Sequence, residues 1–199
     1  MKLIDFDGLF DEKLAEYIQA NEGKYTEKQW ESVIPKLYAK FGDTFIKSAG
    51  NTPKGYYAAM TDEELTDALV RHVKEGVPVS DFLCRELEKR DCPESLLRLL
   101  ESDDEQILTL AVNTAGGNPK AFGAYLDIIA GDNDEEIKDT VADQLKANAD
   151  PAKEKALELY AKGIAAEYML EILSRCKEKD DRVFDVLVKE FRTAPDDIP

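Results

Sequence analysis

An all-α chain is predicted by three features: dense helix punctuation, near absence of period-two alternation, and a repeat of about 30 residues in the second half. Hairpin dipeptides of the Asn-Gly or Asp-Gly kind are almost missing between apolar runs, so nothing in the pattern asks for a sheet.

Taken in chain order, helices are predicted near 11–21 and 26–41. Pro35 lies inside the second, and its lack of an N–H removes one intrahelical bond and predicts a kink. Gly42 is expected to end that helix in the left-handed conformation. Thr52-Pro53 joins a capping hydroxyl to a first-position proline and predicts a short turn carrying Tyr56 and Tyr57. Thr61 with Glu64 makes a capping box, in which the hydroxyl accepts one orphan N–H and the carboxylate reaches back to another. Behind it Leu65, Ala68, Leu69, His72 and Val73 share one helical face, and Gly76 with Pro78 ends the run. Ser80 caps a helix expected to reach about Arg90, and Asp91 with Pro93 opens a short successor holding Leu96, Leu97, Leu99 and Leu100.

From about residue 103 the chain divides into units 103–131, 132–163 and 164–193. Each opens on an acidic connector, runs through an apolar-striped helix, breaks at a polar turn and closes with a second striped helix. The breaks are Gly116-Gly117-Asn118-Pro119, Asn148-Ala149-Asp150-Pro151 and Lys179-Asp180-Asp181. Six residues beyond Pro119, Pro151 and Asp181 stand Tyr125, Leu157 and Leu187, and ten beyond stand Ile129, Ala161 and Phe191, so one register holds through all three. Helix pairs this short cannot bury both stripes alone and must stack on their neighbours.

The run Ala111-Val112-Asn113-Thr114-Ala115-Gly116-Gly117-Asn118-Pro119-Lys120-Ala121 resembles the HEAT-repeat pattern of a small-residue helix, a glycine-rich turn, Asx-Pro and alanine. Asp134-Glu135-Glu136-Ile137-Lys138 followed by Ala149-Asp150-Pro151 is similar to the same pattern one repeat on. The first unit departs from it at Leu108, where HEAT repeats often carry a basic residue, and the third lacks Asp-Pro. The resemblance covers about half the chain. It implies a right-handed α-α superhelix, a HEAT/armadillo-like solenoid, over residues 61–199, behind an aromatic-rich helical N-terminal cap over residues 1–60. It further implies that second helices line a concave face, placing Glu154 and Glu158 there together with Lys120, Arg182, Lys189 and Arg192. The string Trp30, Pro35-Lys36-Leu37-Tyr38, Phe41-Gly42-Asp43-Thr44, Gly50-Asn51-Thr52-Pro53 and Tyr56-Tyr57 resembles the N-terminal part of bacterial HEAT-like proteins with no assigned function, and brings no catalytic role with it.

Charge separates the two segments. The chain of 199 residues carries 26 Lys plus Arg against 42 Asp plus Glu, a formal charge of −16. Residues 1–60 hold ten of the seventeen aromatics and a charge of −1, while residues 61–199 hold −15. Such a balance repels a phosphate backbone and an anionic bilayer, so no nucleic acid and no membrane are expected as partners. No apolar stretch approaches the ~20 residues of a membrane span, and the N-terminus lacks the basic and apolar regions of a secretory signal, so a cytoplasmic protein is expected. Cys84, Cys92 and Cys176 are widely spaced and read as small buried hydrophobes.

The chemical motifs fail one by one. His72 is the lone histidine and shares a face with Leu65 and Leu69, the place of a packed side chain; Ser48 lacks the preceding glycine of a nucleophile elbow. Asp132-Asn133-Asp134-Glu135-Glu136 has Ile137 and Asp143 where a calcium loop needs glycine and glutamate, and reads instead as a helix start. Gly116-Gly117 with Gly123 has neither the spacing nor the lysine of a phosphate loop. No catalytic, cofactor or metal residue is assigned, and no cofactor is expected. Trp30, Tyr38, Tyr56 and Tyr57 are the candidate partner-binding residues, with Phe41 in the same aromatic cluster, which would also cover the first repeat. The expected function is a non-enzymatic protein-interaction or scaffold module for an unidentified protein partner. Its rivals are a HEAT-like nucleic-acid glycosylase and an acidic divalent-cation-binding protein. Thr193-Ala194-Pro195-Asp196-Asp197-Ile198-Pro199 reads as the entrance to another helix: either the last pair keeps an exposed apolar flank, or the sequence is shortened, or a homodimer contact at the C-terminal end covers that flank.

Overall fold

The computed structural model describes residues 2–193, and it is helical throughout, without strands among them. The last six residues of the expected helix entrance, 194–199, lie outside the described part. The chain forms two compact units, one ending at Ser95 and the other beginning at Leu96. Residues 1–60 and 61–95 fall in the first of these units.

The first unit begins with α1 (Phe6–Ala20), which starts earlier than its expected onset near residue 11 because the Asp5 carboxylate accepts the Gly8 N–H at 2.7 Å and caps it. Then come α2 (Glu27–Phe41), which continues through Pro35, and α3 (Pro53–Ala58), where Thr52 Oγ1 accepts the Gly55 N–H at 3.0 Å. Helix α4 (Asp62–Lys74) carries the capping box in full: Thr61 N–H donates to Glu64 Oε2 at 2.8 Å and Glu64 N–H to Thr61 Oγ1 at 3.2 Å. Gly76 ends it with φ +66°, a conformation that favours glycine. Helix α5 (Asp81–Lys89) starts at Ser80, whose Oγ accepts the Phe82 N–H. The core of this unit joins Phe6, Phe10, Phe41, Tyr57, Leu65, Leu69, Phe82, Leu83 and Leu87.

Gly42 corrects its expectation. It is right-handed, φ −55°, not left-handed. A Cβ there would stand 2.6 Å from Phe82 Cε1 and 2.8 Å from Lys54 Cε, so close packing against α5 requires the glycine.

Helix α6 (Glu94–Leu99) spans the division between the units. The second unit continues with α7 (Glu105–Ala115), α8 (Phe122–Ala130), α9 (Glu135–Ala147), α10 (Lys153–Ala161), α11 (Ala166–Arg175) and α12 (Asp181–Thr193), two helices in each of the three sequence units. Asp104, Asp134 and Asp180 each accept backbone N–H groups at the start of the first helix of a pair or, for Asp180, of the last helix. The acidic connectors are thus caps. Single 3₁₀ turns at Pro119–Ala121 and Asp150–Ala152 lead into α8 and α10.

Within this unit α8 packs on α9 and on α10, α9 on α11, and α11 on α10 and α12. Small buried residues, Ala111, Ala121, Ala142, Ala152 and Ala156, let the helices approach, and Tyr125, Leu126, Leu145, Met169, Ile172, Leu173 and Val183 fill the space between them. Polar contacts recur at one sequence spacing. Lys155 reaches Asp127 at 2.6 Å, and Arg182 reaches Glu154 bidentately at 2.8 and 2.7 Å; each joins residues 28 apart. Arg182 also holds Asp180, and it is the main reason that carboxyl lies at about 2, with the Val183 N–H adding to the effect. Both pairs are exposed, so they set register more than they add stability. Glu154 is thereby neutralised by Arg182, and Glu158 by Lys162 at 2.6 Å, so these two positions present no continuous acidic surface.

Candidate functional site

The side chains left half-covered in the first unit gather on the α1–α2 hairpin. Apolar positions of α1 at Phe10, Leu14 and Tyr17 follow i, i+4, i+7 and face Leu37 and Phe41 of α2. Phe10 and Phe41 are buried and form the floor, with ring centroids 5.5 Å apart. Above them lies a groove of about 160 Å³ whose lining is completed by Lys13, Lys40 and Thr44. Both charged residues that line it are lysines, in a chain of charge −16.

At the turn end, Trp30 stands edge-on to Tyr25 at 4.9 Å and to Tyr17 at 6.2 Å, and the Lys24 ammonium lies 5.4 Å from the Tyr25 ring centre. Asn21 Nδ2 donates to Tyr17 O at 2.8 Å, and Thr26 N–H donates to Gln29 Oε1 at 2.8 Å, so both helix ends at this turn are held. Trp30 is half-buried. Tyr17 belongs both to this cluster and to the groove, which joins them into one surface.

The other three sequence candidates are placed differently. Tyr38 stacks on Phe82 at 4.6 Å and 8°, meets Phe10 edge-on at 4.9 Å, and donates its hydroxyl to Asp7 Oδ1 at 2.7 Å. Tyr56 donates to Lys2 O at 2.6 Å and packs against Phe6 and Tyr57. Tyr57 is 1% exposed, which removes it from any recognition surface, since α5 and Phe6 cover it. Its buried hydroxyl has no hydrogen-bond partner, and burial raises its pKa well above the usual tyrosine range. Of the four, Trp30 adjoins the groove through Tyr17, and Tyr38 touches its floor at Phe10. Sequence reasoning missed Tyr17 and Tyr25; the helical spacing of Tyr17 from Phe10 was the available signal for the first, while the second is brought in by the turn.

Asp7, Tyr38 and Ser80 form a polar knot under the hairpin, Ser80 Oγ donating to Asp7 Oδ1 at 3.4 Å. Burial pushes the Asp7 carboxyl above its ordinary range; the Tyr38 and Ser80 hydroxyls pull it back, and Asp5 and Asp81 add repulsion. A carboxyl whose folded pKa is raised contributes most below its unfolded pKa and loses that contribution as pH rises through the folded value. Asp7→Asn, which keeps an acceptor for Tyr38 without the charge, is therefore expected to gain in Tm relative to the parent as pH rises from about 3 to about 7. Thermal melts across that range check this, and a gap that closes or reverses with pH would mean the anion is the favoured form.

His72 is 1% exposed, with Nδ1 3.3 Å from Val77 O. Cys92 and Cys176 are buried, Cys84 is half-buried, and none forms a disulfide. Among the described residues no group of three or more His, Cys, Asp or Glu side chains is placed to hold a metal ion, and no helix is long and apolar enough to cross a membrane. What the hairpin can do chemically is bind: it offers apolar area, flat rings and two ammonium groups. No family model matches the chain, and neither a curated protein nor a solved structure does.

Proposed function

We propose that this chain is a cytoplasmic, non-enzymatic protein-interaction module built as a right-handed HEAT-like α-solenoid, and that it recognises its partner through the α1–α2 hairpin. The stacking of α8 on α10 and α9 on α11, with polar links 28 residues apart, supports the repeat reading. The observation that carries the functional reading is the groove itself: an apolar floor and lysines as its charged lining, in an acidic chain. The complementary occupant is an amphipathic helix with apolar residues at i, i+3, i+4 and i+7 and acidic residues on both flanks. Apolar contact supplies the affinity, and the lysines choose the partner and speed its encounter.

Trp30 is the single tryptophan and stands beside this groove, so its fluorescence reports on occupancy. Titration with a synthetic leucine- and glutamate-patterned helical peptide is expected to give a saturable change, and the same peptide with lysine for glutamate a weaker one. The double variant Lys13→Glu/Lys40→Glu is expected to lose about tenfold or more in affinity for the acidic peptide, corresponding to about 1.4 kcal/mol or more. Equal binding of both peptides, or no binding of either, would overturn the reading.

A further inference from the structure

Helix α12 leaves a second apolar surface uncovered, independent of the α1–α2 groove. Val183 is fully buried, whereas Phe184 is 61% and Phe191 84% exposed. At 100° per residue, Phe184, Val188 and Phe191 lie at i, i+4 and i+7 along one outward stripe. Such a stripe on a soluble helix is a contact surface wanting a partner.

Charge says which partner. Asp181, Asp185, Lys189 and Arg192 follow at i, i+4, i+8 and i+11 beside that stripe, acidic in the first half of the helix and basic in the second. On the same helix Arg182 pairs with Glu154 and Asp180, and Glu190 accepts the Tyr160 hydroxyl. A second α12 running antiparallel sets Phe184 of each copy beside Phe191 of the other. It also sets the acidic half of each flank against the basic half of its mate, because in an antiparallel pair each flank meets the same flank of the partner. In a parallel pair the charged flank would instead meet the opposite flank, which carries Val183, Leu187 and Glu190, and the match would be lost.

We propose that a second copy of this chain docks on α12, antiparallel about a two-fold axis, through Phe184, Val188 and Phe191 and the segregated flanking charges. A single helix pair buries little area, so the association is weak and concentration-dependent.

Sedimentation velocity of the full chain over a rising concentration series is expected to show a reversible monomer–dimer equilibrium. Phe184→Asp/Phe191→Asp replaces two exposed side chains, so its helical circular dichroism should be retained while dimerisation weakens at least about tenfold. Asp181→Lys/Asp185→Lys makes the flank wholly basic and Lys189→Asp/Arg192→Asp makes it wholly acidic. Each alone is expected to be monomeric, and an equimolar mixture of the two is expected to recover the dimer. A parent chain that stays monomeric throughout, a dimer indifferent to the phenylalanine replacements, or a mixture that fails to associate would each overturn the proposal. A parent monomer that instead binds the acidic helical peptide only through α12, as read by loss in the phenylalanine variant, would likewise assign the face to a different partner.

Discussion

Phe82→Ala is expected to destabilise the first unit by about 3–5 kcal/mol, the cost of emptying a buried aromatic site. Phe82 is 4% exposed and stands between Tyr38, stacked on it at 4.6 Å, and Phe41 at 6.3 Å. The loss would reach further than one cavity. Without that ring Tyr38 has no platform, the Tyr38–Asp7 hydrogen bond loses its shielding from water, and the backbone at Gly42, packed to accommodate Phe82, gains a void. Urea unfolding followed by Trp30 fluorescence reads this unit directly, because the lone tryptophan lies within it. A midpoint displaced by less than about 0.5 kcal/mol would show that the aromatic network does not hold the hairpin in place.

Tyr125→Ala should have a similar effect on the second unit, about 3–5 kcal/mol, through a different mixture of terms. Tyr125 is 0% exposed, stacks with Phe122 at 6.2 Å, and donates to Gly116 O at 2.7 Å, with Val112 O at 3.2 Å. Its hydroxyl thus ties α8 to the end of α7, where Gly116 takes φ +51°. Tyr125→Phe separates the terms: it keeps the ring and takes the hydroxyl donor from Gly116 O, while Val112 O still accepts the Gly116 N–H at 2.9 Å, an expected loss of about 1 kcal/mol. Hydrogen exchange at the α7–α8 turn should quicken in both variants. If the phenylalanine variant matches the parent in stability and exchange, the hydroxyl contributes nothing and the turn is held by packing alone.

The helix punctuation was legible because capping is local. Thr52, Thr61, Ser80, Asp104 and Asp134 each engage an N–H within three positions, a distance that the sequence displays on its face. The start of α1 lies before its expected onset although its signal is of the same kind, an aspartate ahead of Phe6 and Phe10. At Gly42 the local rule and the packing pointed different ways. A glycine after a helix ordinarily supplies a positive φ, but here the neighbouring ring of Phe82 demands the missing Cβ.

The candidate site divides along the same line. Composition marked residues 1–60 as the aromatic segment, and Trp30 stands edge-on to Tyr25 and Tyr17 beside the α1–α2 groove. Composition could not say that Tyr57 would be sealed beneath Phe6, or that Tyr38 would spend its ring on Phe82 and its hydroxyl on Asp7. Nor could it bring Tyr17 and Tyr25 to Trp30, or isolate two lysines around a groove.

Helical character, the placement of most caps and the succession of helices over 103–193 were readable along the chain, since each rests on side-chain-to-backbone bonds and a 3.6-residue period within a few positions. Which aromatic faces outward, which glycine is needed for space, and where the compact units divide came from packing. Those outcomes depend on side chains tens of residues apart competing for the same interior volume, and that competition leaves no local trace.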